Sequence, residues 1–167
     1  MSDTTHRRVM NLITRGRLVA VDDTHGLQLV QVRLLRSEGK DNVERFQQYG
    51  FSSVPTPDCE AVVLFPGGSR DHGIVLSIDN RGARMRGQAA GEVSIYSDEG
   101  DYIALKRGNE IEVVTKTLTI TVDTEIIINA PKITIIAPEI DIQGNINLTG
   151  NLTATGAINA PHGSVGS

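Results

Sequence analysis

A chain of 167 residues, 39% apolar and without tryptophan, suits one ordinary domain or a small domain with an appendage; its core must come from Ile, Val and Leu, and full disorder is not expected. The net charge of −4 is unevenly spread: residues 1–91 hold 12 basic and 10 acidic side chains, residues 92–142 hold 4 and 10, and from Gln143 onward there is no Asp, Glu, Lys or Arg. A nucleic-acid binder needs a cationic surface to displace counterions from phosphates, so no specific nucleic acid is expected as a partner.

The first eight residues lack the apolar stretch of a signal peptide, and nowhere do eighteen apolar residues run together. Neither signal-directed secretion nor a membrane-spanning helix is expected. Residues 1–15 read as an N-terminal docking segment, because Val9, Met10, Leu12 and Ile13 share one face of a short helix over Arg7 to Arg15. Too short to stand alone, it packs either on its own domain or on a larger assembly.

Residues 16–82 read as a small β-barrel, with the OB-fold as the nearest architecture. Arg17–Val21 and Leu27–Leu35 alternate aliphatic and polar residues around an Asp22–Gly26 turn, which is a hairpin pattern. A polar excursion follows at Ser37–Glu44. Glu60–Phe65 and His72–Ile78 are further strand candidates, separated by the turn former Pro66–Arg70. Cys59 is the only cysteine, so an intrachain disulfide is excluded and a small buried thiol is the plain expectation. Residues 83–92, rich in Gly and Arg, interrupt the periodicity and read as a linker.

Residues 93–160 carry a repeat. Apolar residues fall in pairs two apart: Val93/Ile95, Ile103/Leu105, Ile111/Val113, Leu118/Ile120, Ile126/Ile128, Ile133/Ile135, Ile140/Ile142, Ile146/Leu148, Leu152/Ala154 and Ile158/Ala160. In a strand both members of a pair point the same way. Their first members are separated by 10, 8, 7, 8, 7, 7, 6, 6 and 6 residues, with Pro, Gly and Asn between them to turn corners. Units of this kind cannot bury an apolar face alone and must stack. Shorter repeats and smaller inward residues both predict a cross-section that narrows toward the C-terminus.

Two arrangements satisfy that pattern. One chain winding alone would resemble the hexapeptide helices of acyltransferases, and the last three units do have period six. Such coils point one aliphatic per face inward, however, whereas most units here point two, and the earlier seven- and eight-residue spacings fit badly. Three chains around a common axis bury paired rows and leave no free sheet edge. The expected fold is therefore all-β: an N-terminal OB-fold barrel followed by a tapering, intertwined trimeric β-helix needle.

The stretch Gln48–Pro57, leading into Ala61–Gly73, and then Gly91–Lys106, resembles phage Mu-type baseplate assembly proteins, the trimeric central spikes of contractile tails. Almost the whole chain is covered, the stem by pattern more than by motif. The resemblance implies a homotrimer located in the virion tail baseplate and made in the bacterial host cytoplasm. Its collar would sit on a baseplate hub protein, and its needle would cross the host outer membrane transiently on sheath contraction.

Relatives carry a His-x-His motif near the tip, so that three chains hold an apical iron. Here residues 161–167 offer His162 alone, with Ser164 where a second His would stand. Three copies of His162 supply a three-nitrogen site for iron or another transition metal. A lone histidine favours the plainer reading of a polar tail residue over that metal site, and the point is then open to completion by a separate tip protein.

No catalytic constellation accompanies these features. His6, His25 and His72 lie in unlike contexts. Ser69 lacks the Gly-x-Ser-x-Gly elbow, and Gly67-Gly68 lacks the Lys and helix of a phosphate loop. Asp98-Glu-Gly-Asp101 reads as a solvated acidic turn or, in three copies, a cation site. An enzyme is not expected. The competing reading is an OB-fold module binding oligosaccharide or single-stranded nucleic acid, with a β-helical oligomerisation stem; its weakness is the shortage of aromatic platforms and basic grooves.

Overall fold

The computed structural model describes Val9, residues 12–34 and residues 38–159. The chain divides into two units, Met1–Ile120 and Thr121–Ser167. In the first, five strands close a barrel: β1 (Ile13–Asp22), β2 (Gln28–Leu34), β3 (Gly39–Arg45), β4 (Glu60–Leu64) and β5 (Ile74–Asp79), in the order β1-β2-β3-β5-β4 with β4 returning to β1. All pairings are antiparallel except that of β3 with β5, which rests on two residue pairs, Glu44 with Ile74 and Arg45 with Val75.

Alternation puts one face of each strand inside. Leu18, Val30, Val32, Val63, Phe65 and Val75 are fully buried, joined by Leu34, Val43, Cys59 and Ala61. The thiol of Cys59 is buried as expected. Gly73 is placed by close approach: a Cβ there would stand 3.0 Å from Phe65 Cε1 and 3.3 Å from Val43 Cγ1 and Val63 Cγ1. The β1–β2 turn is held by the Asp22 carboxylate, which accepts from the Thr24 N–H at 3.0 Å and the Thr24 hydroxyl at 2.6 Å. Register shifts at Leu18/Ala20, Val30/Val32 and Val62/Val63 add the local twist that closing so small a barrel requires.

Two sequence expectations change. Ile13–Arg15 belong to β1 and not to a helix; they pair with Leu64, Val63 and Val62, and the backbone ladder along β4 outweighs a weak helical face. The polar excursion at Ser37–Glu44 is in fact mostly strand β3. Its burial pattern leaves only Val43 inside, so period-two alternation is barely visible, and Asn42 adopts φ 55°, breaking the pleat.

Three further strands follow in the same unit: β6 (Val93–Tyr96), β7 (Tyr102–Lys106) and β8 (Glu110–Val114), an antiparallel meander. In the second unit, described residues 121–159 form no strand within the single chain, and every one is exposed. Gly144 and Gly150, six residues apart, share nearly the same φ, 137° and 138°. The repetition covers two units of the six-residue period, since Gly156, the next glycine of that series, has no such positive φ.

Candidate functional site

In the β6–β8 sheet, Val93 pairs with Leu105 and Leu105 with Ile111, while Ile95 pairs with Ile103 and Ile103 with Val113. These six side chains form two cross-strand rows on one face, and they are 43% to 69% exposed. The opposite face is self-satisfied. Lys106 Nζ donates to Glu112 Oε2 at 3.1 Å and lies 4.0 Å from Glu110, over a buried Ala104. The Lys106 ammonium and the Tyr102 hydroxyl hold the Glu112 carboxyl below its usual range, and Glu112 raises Lys106 in return.

The apolar row continues along the chain. Leu118, Ile120, Ile126, Ile128, Ile133, Ile135, Ile140, Ile142, Ile146, Leu148, Leu152 and Ile158 are 50% to 70% exposed. A soluble monomer rarely leaves contiguous apolar surface on this scale uncovered. Within the single chain these residues have nothing to bury against, so no burial there offsets the entropy of ordering them.

A second exposed apolar feature lies on the barrel. Within the β3–β4 connection, Phe46–Pro57 is a run of twelve residues without a charge, followed by Asp58, and it holds three of the six aromatics in the sequence. Tyr49 is fully exposed, and Phe46, Phe51 and Val54 are about half to two-thirds exposed. Its root is fixed. Arg45 Nη1 donates to Gln28 Oε1 at 2.6 Å and to the Ser53 carbonyl at 2.7 Å, and Nη2 donates to Ser53 Oγ at 2.9 Å. The buried Gln28 donates to Asp23 Oδ1 and to the same Ser53 carbonyl, while the Ser53 N–H donates to Gln47 Oε1 at 2.8 Å. Burial lowers the pKa of Arg45, with Asp23 opposing the shift. In the sequence this loop is legible only through the family resemblance carried by Gln48–Pro57.

The candidate chemical residues are dispersed or locally occupied. His25 and His72 border one cleft of about 630 Å³ beside Asp22, Lys40, Glu44 and Arg70, a surface of mixed charge. Ser69 Oγ donates to Asp71 Oδ2 at 3.3 Å in a surface turn. In the acidic turn, the Ser97 N–H and hydroxyl donate to the Asp101 carbonyl and carboxylate, at 2.9 and 3.1 Å. Among the described residues, no three His, Cys, Asp or Glu side chains converge as a metal site requires. His6 and His162 lie outside the described residues.

Comparison with known proteins gives a consistent result. Residues 15–82 match the family described as Bacteriophage Mu Gp45, N-terminal. The chain is 36% identical over 149 residues to the Mu-like prophage FluMu protein gp45 of Haemophilus influenzae, covering 89% of this chain and 81% of that one. It is 32% identical over 155 residues to the baseplate puncturing device gp45 of Escherichia phage Mu, covering 93% and 78%.

Proposed function

The chain belongs to the bacteriophage Mu Gp45 family, and from that membership we propose that it is a structural virion protein, the central baseplate spike of a contractile tail. It works mechanically and not as an enzyme: sheath contraction drives it through the host outer membrane. The closed barrel, residues 13–79, is the OB-type collar that caps the tail tube and seats on the hub, with the residues before it as a docking segment. Residues 83–92 link it to the stem, 93–160, and 161–167 form the tip.

One observation carries the mechanical reading: the exposed apolar row that runs from Val93 to Ile158 with shortening spacing. Three copies around an axis cover that row with one another's. Their backbones then pair between chains, forming a tapering β-helix without free edges. Continuous pairing makes a shaft that carries axial load. The absence of charge beyond Gln143 suits a point entering hydrocarbon, where an ionised group is costly.

Sedimentation tests this directly. The expected species is elongated, with three times the 18.0 kDa chain mass, and it persists in denaturant; a compact monomer of 18.0 kDa would overturn the proposal. At the tip, three copies of His162 hold an iron or other transition-metal ion. Metal content should then fall to background in His162→Ala, and unchanged content would assign the point to a plain tail or a separate tip protein.

A further inference from the structure

We infer that the connection between the barrel and the β6–β8 sheet is a two-clamp joint: residues 80–86 are fixed to the barrel, residues 88–92 are fixed to the sheet, and rotation is confined to Gly87 between them. The contacts lie within one chain, while their mechanical meaning rests on the spike reading above.

The barrel clamp begins where β5 ends. Asn80 folds the chain back on itself: its Oδ1 accepts from the Gly82 N–H at 2.9 Å and the Ala83 N–H at 3.2 Å, and its carbonyl accepts from the Arg84 N–H at 2.9 Å. Its Nδ2 donates to Thr56 Oγ1 at 3.2 Å, which ties the turn to the β3–β4 connection. Arg81 grips the first residue of β4, donating from Nε and Nη2 to the two carboxylate oxygens of Glu60 at 2.9 Å each. Such a two-point pair fixes direction as well as distance. Arg86 reaches back to the Arg81 carbonyl.

The sheet clamp is reciprocal. The Glu92 carboxylate accepts from the Ala89 N–H at 2.8 Å and from the Arg107 N–H, in the β7–β8 turn, at 3.1 Å. The Arg107 guanidinium returns to the Ala90 carbonyl and lies across Gly91, where a Cβ would stand 2.6 Å from Nη2. Gln88 Nε2 donates to Ser94 Oγ at 2.7 Å.

Gly87 belongs to neither clamp. Among the described residues it makes no hydrogen bond, its φ is 77°, and nothing lies within 4 Å of where a Cβ would sit. A cleft of about 350 Å³ parts the two bodies, with Val54, Asn80 and Ala83 on the barrel side and Tyr96, Ser97 and Asp98 on the sheet side, so there is room to turn. One or a few residues between rigid bodies are what a hinge needs. A tether loose along its whole length would absorb a push on the collar. A joint with one free residue lets the angle adjust while the push reaches β6.

Residue-resolved hydrogen exchange on the full-length protein, with sedimentation run beside it, tests the joint. The N–H groups of Gly82, Ala83 and Arg84, and those of Ala89 and Arg107, should exchange at least about tenfold more slowly than that of Gly87. Asn80→Ala should speed Gly82 and Ala83 roughly fivefold and leave Ala89 and Arg107 unchanged; Glu92→Ala should do the converse. Fast exchange throughout 82–92 overturns the clamps and leaves a plain tether. Slow exchange that includes Gly87, or a variant that speeds both groups together, overturns the hinge and leaves one rigid turn. Should either variant fail to fold, the exchange map of the unaltered protein decides. A monomer in sedimentation overturns the spike reading, and the exchange map then still judges the joint.

Discussion

Gly73 shows how tightly single positions are determined. Three core side chains close on it within 3.0 to 3.3 Å of where a Cβ would sit, so Gly73→Ala overpacks the barrel. We expect a loss of roughly 1–3 kcal/mol, read as a lower urea midpoint with an unchanged m-value. Gly39→Ala is the control: nothing lies within 4 Å of its Cβ, and the change should stay within about 0.5 kcal/mol. Surface carboxylates set the pH response. Glu60 is held low by the Arg81 guanidinium, Glu92 by the Arg107 and Ala89 N–H groups, Glu112 by Lys106, and Asp22 by Thr24. A depressed folded pKa gives stability that is present above the unfolded value and lost as pH falls through the folded one. The melting temperature should therefore be flat near neutrality and decline below about pH 4, modestly and less so in high salt, because none of the four groups is buried.

At the scale of elements, the closing seam of the barrel and the loop after it are separable. β3 contributes Val43 alone to the core, and two pairs join it to β5. Val43→Ala should cost roughly 2 kcal/mol by opening a cavity beside Phe65, measurable by equilibrium denaturation. Arg45→Ala acts differently. It removes the donor that holds Gln28 and Ser53, leaving a buried acceptor without its partner, so about 1–3 kcal/mol should be lost. The diagnostic sign is faster proteolytic nicking within residues 46–57 while the barrel stays folded. β2 and β4 were legible because their burial alternates around the core, and β1 and β5 from their aliphatic content, although the bulge at Leu18/Ala20 and the exposed pair Leu76 and Ser77 interrupt their alternation. β3 was not, since Lys40, Asp41, Asn42 and Glu44 face away and only closure of the barrel makes such a segment a strand.

For the molecule as a whole, the row of paired residues predicts a sharp contrast between neighbours. In the proposed trimer, Ile133→Asp puts one carboxylate per chain into the shared interior, where burial of an unpaired charge costs several kcal/mol, and sedimentation should show loss of the trimer. Ile136→Asp should leave it intact. Ile136 is 93% exposed, and alternation sends it away from the paired row. Equal effects of the two changes would remove the basis for an inward-facing row.

The sequence by itself determined the β class, the apolar pairs with their shrinking spacing, and the uncharged end, because period-two patterning and composition are local properties that survive in a string of residues. The family signature was readable for the same reason. Only the tertiary structure decided which polar segment closes the barrel, how Arg45 and Gln28 fix a loop reached across β2 and β3, and that Tyr49 and Phe51 stand exposed on it. Those depend on contacts between residues distant in sequence, which periodicity does not encode.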